Sequence, residues 1–264
     1  MGLKNFCPLQ HYPQLQDVPL MLTYETTQFT PPPCWILSYP RVGSNYLCGS
    51  LNQTKLFHPK VHEWINVRSD QVRDIPDNYT HTRWEPWKTI KNATKTDLMN
   101  EMPRNLKVHC FDYRLYFSQE DAKAISEKLP DIKFIRLQRK DLVACAASYY
   151  LARETKIFAS LKSDVVEHAN TTVKLNHERI MECYGWVQNW DTEWDRFVKK
   201  TNHLDVFYED LVSGTSTLKQ IFEFLGIPTS MVKRIVPRIQ EKKLNHPQTQ
   251  EIIDVIKETN GRDS

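Results

Sequence analysis

Residues 38–45, which read SYPRVGSN, combine residue types that could bind a phosphate. The preceding apolar run, CWIL at 34–37, indicates a buried strand, and the residues after the loop would begin a helix. Backbone N–H groups at a helix N-terminus bind anions, and a neighbouring arginine adds positive charge. The segment lacks the Gly-Lys-Ser/Thr of a Walker A loop, so a different phosphate-bearing ligand is predicted. The residues that could contact it are Arg41, Gly43, Ser44 and Asn45.

A second candidate anion site follows the apolar run at 133–137, which predicts another strand. Arg139 comes at the end of that strand, and Ser148 lies nine residues later, two turns into a predicted helix. An arginine at a strand end and a hydroxyl on the next helix could share one phosphate. The alternative is an exposed arginine and a serine that faces the core.

A third segment, Val206–Leu211, leaves a predicted strand through Tyr208 into an acidic turn. Taken alone, it favours a structural turn. Because ligands of open parallel sheets bind at the carboxyl ends of the strands, however, this segment and the two anion loops could converge.

The elements that must position these residues alternate between strands and helices. Strands are predicted at 34–39, 107–111, 133–137 and 205–208, and helices at about 44–52, 118–129, 141–156, 173–200, 217–225 and 248–258. This alternation predicts an α/β fold, a P-loop-type three-layer sandwich with a mostly parallel central sheet flanked by helices.

The domain organisation follows from the same pattern. Residues 1–33 are rich in Pro and Gln and predict an irregular N-terminal arm, whereas 34–264 predict a single domain. Residues 54–105 show no clean period and predict an insertion of loops and short helices. Long irregular segments of this kind are often functional, and we expect this one on the acceptor side.

The composition excludes several classes of protein. The chain has 264 residues, 40% of them hydrophobic and 25% charged, with a net charge of +3. A nucleic-acid partner is not expected at this mild charge. No apolar run approaches the roughly 18 residues of a membrane helix, and the first residues lack a signal-peptide pattern, so a cytoplasmic protein is expected. The six scattered cysteines predict buried thiols.

Three motifs in order resemble sulfotransferases that use 3′-phosphoadenosine 5′-phosphosulfate (PAPS). Residues 40–45 resemble their 5′-phosphosulfate loop, Arg139 through Ser148 their 3′-phosphate motif, and Tyr208–Leu211 the tyrosine-containing strand end near the adenine. Among subfamilies, the chain looks most like bacterial trehalose 2-sulfotransferase-like enzymes, which share the nine-residue Arg-to-Ser spacing. It departs from the usual pattern at Val42 and Asn45 and lacks the C-terminal Arg-Lys-Gly loop of aryl sulfotransferases.

The resemblance implies a transfer from PAPS to an acceptor hydroxyl without a metal, releasing 3′-phosphoadenosine 5′-phosphate. Arg41, Gly43, Ser44 and Asn45 would hold the phosphosulfate, Arg139 and Ser148 the 3′-phosphate, and Tyr208 would lie by the adenine. In the trehalose-type enzymes a Glu before an aromatic residue is the base, and Glu63-Trp64 matches that pattern. His62 and His58 are alternatives, because histidine titrates near neutrality.

The acceptor is expected to be a small molecule or glycan, because residues 54–105 are rich in Trp, Tyr, Arg and His, which suit a sugar or polyol. The same aromatic residues could instead pack over the sheet. Two alternative functions stay open at this point: a P-loop kinase-like small-molecule phosphotransferase and a non-catalytic nucleotide- or glycan-binding relative.

Overall fold

The structure, a computed structural model, describes residues 29–57, 60–61, 65–66, 90–91, 99, 104–109, 117–157, 171–235 and 246–262. In chain order its strands are β1 (Cys34–Ser38), β2 (Ile65–Asn66), β3 (Ile90–Lys91), β4 (Asn105–His109), β5 (Lys133–Gln138) and β6 (His203–Phe207). β4, β1, β5 and β6 form, in that spatial order, a fully parallel sheet, and β2 pairs with β3 in parallel.

The helices are α1 (Ser44–Gln53), α2 (Gln119–Lys128), α3 (Leu142–Thr155), α4 (His177–Val198), α5 (Tyr208–Ser213), α6 (Ser216–Phe224) and α7 (Thr249–Arg262), and a 3-10 helix spans Thr229–Arg234. α4 packs against α2, α3, α7 and β5. The predicted α/β fold, with a parallel sheet flanked by helices, is confirmed.

The strand order determines which helices share a face. The chain moves from β1 to β4 on one side and then from β4 across to β5 on the other. Because parallel crossovers are right-handed, α1 and α2 lie on opposite faces of the sheet, and α3 and α4 share the face of α2. The connections that leave β1 and β5 therefore diverge to opposite faces, and the crevice between these two strands is the topological switch point.

β1 is the centre of the core. All five of its residues are buried, as expected for an inner strand of a parallel sheet that is covered on both faces. Trp35 is in register with Leu106 on one side and Phe134 on the other, and its ring meets that of Phe134 edge-on with centroids 6.2 Å apart. This packing fixes where β1 ends, and hence where the loop after it begins.

Side-chain caps set the helix starts. Ser118 and Asp121 form a reciprocal capping box at the start of α2. The carboxylate of Asp141 accepts from the backbone N–H of Ala144 and begins α3, and Asn176 does the same for α4 through Arg179.

One ion-pair cluster joins the sheet to α4. The buried guanidinium of Arg136, on β5, donates from Nε to Asp205 Oδ1 on β6 at 2.7 Å and from Nη1 to Asp195 Oδ1 on α4, also at 2.7 Å. A buried charge persists only when it is paired in this way. The cluster therefore fixes the position of β6, whose end supplies part of the site.

The structure departs from the sequence predictions in two places. The chain after β6 forms the short helix α5, where an acidic turn was predicted, and the predicted insertion contains the β2–β3 pair. Most of that insertion, and residues 1–28 of the predicted arm, lie outside the described residues. Among the described helices, none combines the length and apolar character needed to cross a bilayer. The described cysteines are buried thiols: Cys34, Cys48, Cys145 and Cys183.

Candidate active site

The loop after β1 lies at the switch point and has an unusual backbone. Gly43 has φ 79° and precedes α1, and its carbonyl accepts from the N–H groups of Tyr46 and Leu47. Because Gly43 has no side chain to cap the helix, the first N–H groups of α1 are available to an anion. Arg41 also adopts a left-handed conformation, with φ 69°, which is uncommon for a residue other than glycine.

The aromatic ring of Tyr208 is packed directly against Gly43. A Cβ atom at position 43 would lie 2.8 Å from Cε2 of Tyr208 and closer still to Cδ2. Both the positive φ and this close approach therefore require glycine at this position. The contact joins the loop after β1 to the end of β6.

Arg41 connects the two anion sites that the sequence predicts. Its Nε donates to the hydroxyl of Ser148 on α3 at 2.9 Å, although the two residues are 107 positions apart in the chain. Ser148 is half-buried, so its hydroxyl faces the loop rather than the core. The structure thus excludes the alternative in which this serine is a core residue.

Arg139 follows β5 and lies beside the same loop. Its Nε donates to Glu209 Oε1 at 3.1 Å, its Nη1 donates to the carbonyl oxygen of Arg41 at 3.4 Å, and its guanidinium lies over the ring of Tyr208, 4.8 Å from the centroid. The side chain of Arg139 is only 11% exposed. The arginine is therefore held in one orientation by groups from the loop after β1 and from α5.

Glu209 is a member of the site that the sequence analysis did not identify. Its Oε2 accepts from the backbone N–H of Lys140 at 3.1 Å, while Oε1 accepts from Arg139. Desolvation raises the pKa of Glu209. Three hydrogen bonds and the positive charge of Arg139 outweigh desolvation and hold the pKa below its ordinary value; the donors are the Lys140 N–H, the N–H of Glu209 itself and Arg139. The carboxylate is therefore ionised at neutral pH.

Tyr39 binds the backbone of Arg139. Its buried hydroxyl accepts from the backbone N–H of Arg139 at 3.1 Å and donates to Asp191 Oδ1 on α4 at 3.2 Å. Desolvation raises the pKa of Asp191, as do the carboxylates of Asp195 and Asp205, and this outweighs the Tyr39 hydrogen bond and the charge of Arg136. The backbone of Arg139 is thus fixed independently of its side chain.

Lys107, in the middle of β4, is a further cation at the loop. It is buried, and its Nζ donates to Asn45 Oδ1 in the first turn of α1 at 2.9 Å. The signal in the sequence was a lysine between apolar residues, Leu106 and Val108, at the start of a predicted strand. His109 ends β4 in register with Ser38, so its backbone lies at the same edge of the sheet as the loop.

The structure brings together most of the residues that the sequence predicts for the donor site. Direct contacts connect Arg41 with Ser148, Arg139 with Tyr208, and Tyr208 with Gly43. Ser44 and Asn45 form the first turn of α1. The three predicted bases, Glu63, His62 and His58, lie outside the described residues. In the described part of the chain, no group of three His, Cys, Asp or Glu side chains could hold a metal ion.

The comparison with protein families decides the class of this site. Residues 32–231, which contain the whole parallel sheet and every residue of the candidate site described above, match the family model described as "Sulfotransferase family". The chain belongs to the sulfotransferase family. The general chemistry of this sulfotransferase is therefore sulfuryl transfer, and the chain is a transferase.

The crystal structure of a sulfotransferase from Alicyclobacillus acidocaldarius is similar over 86% of this chain and 93% of its own, with 17% sequence identity and a TM-score of 0.41. No curated protein matches this sulfotransferase.

The arrangement has a clear electrostatic character. Three cations lie near the start of α1: Arg41 after β1, Arg139 after β5 and the buried Lys107 on β4. Fixed cations and backbone N–H groups at a helix start stabilise negative charge without reorganisation, which is the main requirement for transferring an anionic group.

Proposed function

We propose that this sulfotransferase uses PAPS as its donor and transfers the sulfuryl group to a hydroxyl of a carbohydrate. The observation that carries the donor assignment is the juxtaposition of Arg41, Ser148 and Arg139 at the switch point. PAPS carries two anionic groups on one nucleoside. Arg41 bonds Ser148, and Arg139 bonds the backbone carbonyl of Arg41, so two arginines and a hydroxyl lie together, which suits a ligand with two separate anionic groups.

Each end of the donor has its own residues in this proposal. The N–H groups at the start of α1, with Arg41, Ser44 and Asn45, hold the 5′-phosphosulfate, and Gly43 allows the close approach of the backbone. Lys107, which donates to Asn45, adds positive charge at the same end. Arg139 and Ser148 hold the 3′-phosphate, and Tyr208 lies by the adenine.

The proposed transfer step forms one S–O bond and breaks another, and it needs no metal ion. The acceptor oxygen attacks sulfur and forms the new S–O bond, while the bond between sulfur and the bridging oxygen of the phosphosulfate breaks. The electron pair of that bond goes to the 5′-phosphate of 3′-phosphoadenosine 5′-phosphate, where Arg41 and the α1 N–H groups stabilise the charge. The acceptor proton goes to a general base.

Glu63 is the proposed base, and His62 and His58 are the alternatives. The Glu63→Gln variant keeps the shape of the side chain and removes its basicity, so turnover should fall about 10²- to 10⁴-fold while donor binding is retained. Unchanged turnover would move the role to a histidine, and the matched His62→Gln and His58→Gln variants would then identify which one.

The donor assignment is tested by binding measurements on the full chain. Thermal-shift assays with 3′-phosphoadenosine 5′-phosphate, AMP and ATP with Mg²⁺ should show the largest stabilisation with the first ligand. Preference for ATP with Mg²⁺ would favour a kinase-like function instead. In the Arg139→Ala variant, affinity for 3′-phosphoadenosine 5′-phosphate should fall far more than affinity for AMP, and equal losses would refute the 3′-phosphate role of Arg139.

The acceptor class is tested separately from the donor. Transfer of labelled sulfate from PAPS should be measured over matched panels of sugars, polyols and phenols. We expect sugars to be the best acceptors. A preference for phenols would refute the carbohydrate assignment and leave the donor assignment intact, and a chain that binds the nucleotide but transfers to none would be a binding module.

A further inference from the structure

The guanidinium of Arg139 is held on three sides, which leaves one edge for a ligand. Nε is bonded to Glu209, Nη1 to the carbonyl oxygen of Arg41, and the ring of Tyr208 covers one face. Among the hydrogen bonds within the described part of the chain, none uses Nη2. The two N–H groups of Nη2 and the second N–H group of Nη1 are therefore the donors that a phosphate would meet.

Glu209 bonds both Arg139 and the residue that follows it. Its two carboxylate oxygens bond consecutive residues, one to the Arg139 side chain and the other to the Lys140 backbone, so the arginine and its loop are fixed together. The side chain of Glu209 is 31% exposed, whereas the neighbouring pair between Lys140 and Asp210 is about half exposed on both sides. Such an exposed pair contributes little to stability.

We propose that Glu209 is a positioning residue for donor recognition, holding Arg139 so that its Nη2 edge faces the 3′-phosphate. This inference rests on the proposed function, in which Arg139 binds that phosphate. A carboxylate so near a phosphate repels it, so its presence is explained by the geometry that it imposes on Arg139 rather than by its charge.

Charge and geometry predict opposite signs for the same substitution. If Glu209 acted on the ligand only through its charge, Glu209→Gln would remove a repulsion and strengthen binding of 3′-phosphoadenosine 5′-phosphate. If Glu209 positions Arg139, the same change weakens binding, because a glutamine has a single acceptor oxygen and its NH₂ group would oppose one of the two donors. The sign of the change therefore separates the two roles.

The experiment measures dissociation constants for 3′-phosphoadenosine 5′-phosphate and AMP by calorimetry on the full chain. Glu209→Gln should weaken binding of the former by about tenfold or more, since the oriented bonds involve charged groups, and should change AMP binding less than about twofold. Asp210→Asn, the matched control, removes the same charge from the next residue and should leave both affinities unchanged or slightly improved. Unchanged or tighter binding in Glu209→Gln overturns the inference.

Two further variants separate failure of this inference from failure of the proposed function. If Arg139→Ala retains the preference over AMP, the 3′-phosphate assignment itself is wrong. If Arg139→Ala loses the preference but Glu209→Gln keeps it, only the role of Glu209 is wrong. Should thermal unfolding show that Glu209→Gln is not folded, Glu209→Asp keeps the charge and shortens its reach. Weaker binding of 3′-phosphoadenosine 5′-phosphate in Glu209→Asp supports the inference, and wild-type binding overturns it.

Discussion

Replacing Gly43 by alanine tests the packing at the centre of the site. The new Cβ would lie 2.8 Å from Cε2 of Tyr208 and closer to Cδ2, so the ring must move. Overpacking of this kind costs about 1–3 kcal/mol. The left-handed backbone of residue 43 adds about 1–2 kcal/mol for any residue with a Cβ. We therefore expect Gly43→Ala to lower the free energy of unfolding by about 2–5 kcal/mol.

A double-mutant cycle separates the two contributions. In a Tyr208→Ala background the ring is absent, so Gly43→Ala should cost only the backbone term of about 1–2 kcal/mol. Gly185 provides the matched control, because it lies inside α4 and a Cβ there would meet no atom within 4 Å. Gly185→Ala should stabilise the chain by about 0.5–1 kcal/mol.

The measurement is urea unfolding, monitored by circular dichroism, of the four proteins of the cycle (wild type, the two single variants and the double variant) and of the control. A cost of Gly43→Ala that is the same with and without the Tyr208 ring would refute the proposed contact. A cost near zero in the wild-type background would refute both the contact and the need for glycine. Sulfate transfer by Gly43→Ala should also fall, because the ring of Tyr208 underlies Arg139.

Three further predictions concern single residues. Ser148→Ala removes the hydroxyl that accepts from Arg41 Nε. Because a hydrogen bond to a charged group contributes about 1.5 kcal/mol, binding of 3′-phosphoadenosine 5′-phosphate should weaken about tenfold. Wild-type affinity in calorimetry would contradict this prediction. Arg136→Ala removes the guanidinium that bonds Asp195 and Asp205 and should cost about 1.5–3 kcal/mol of unfolding free energy, as hydrogen bonds to charged groups do. A loss under about 0.5 kcal/mol in urea unfolding, typical of an exposed pair, would count against it. The pKa of Asp191 is raised in the folded state, so its negative charge destabilises the fold above that pKa. Asp191→Asn should therefore raise the melting temperature at pH 7, and this advantage should disappear as the pH falls to about 4. A melting-temperature advantage that is equal at both pH values would show that burial of the charge is not its cause.

The sequence predicted most of the fold because local signals and tertiary packing agree in these elements. The apolar run of β1 and the caps at Ser118 and Asp141 place their elements within a residue or two of the observed bounds. α5 was missed because its six residues are too few for a helical period to be visible. Its first residue, Tyr208, was predicted only as a strand end.

Some residues of the candidate site were predicted from the sequence, and others were not. Arg41 and Arg139 were predicted because each follows a recognisable strand, and Ser148 because it lies on the recognisable helix that follows Arg139. Lys107 and Glu209 were not, because their roles depend on which strands are neighbours, and β4 and β6 lie on opposite edges of the sheet. Spatial strand order is set by packing over the whole domain and has no local signal.

The hydrogen bonds of the site join parts of the chain that are synthesised far apart. Tyr39 and Arg139 are separated by 100 residues, Arg41 and Ser148 by 107, and Arg139 and Glu209 by 70. The anion site is therefore complete only after β1, β5 and β6 have docked, which are slow, non-local events in folding. If the proposed donor binds through these contacts, it binds only the folded chain, so its full binding energy would add to global stability, about 2.7 kcal/mol at a hundredfold excess over Kd. The cellular supply of donor would thus also influence how long the folded enzyme survives proteolysis.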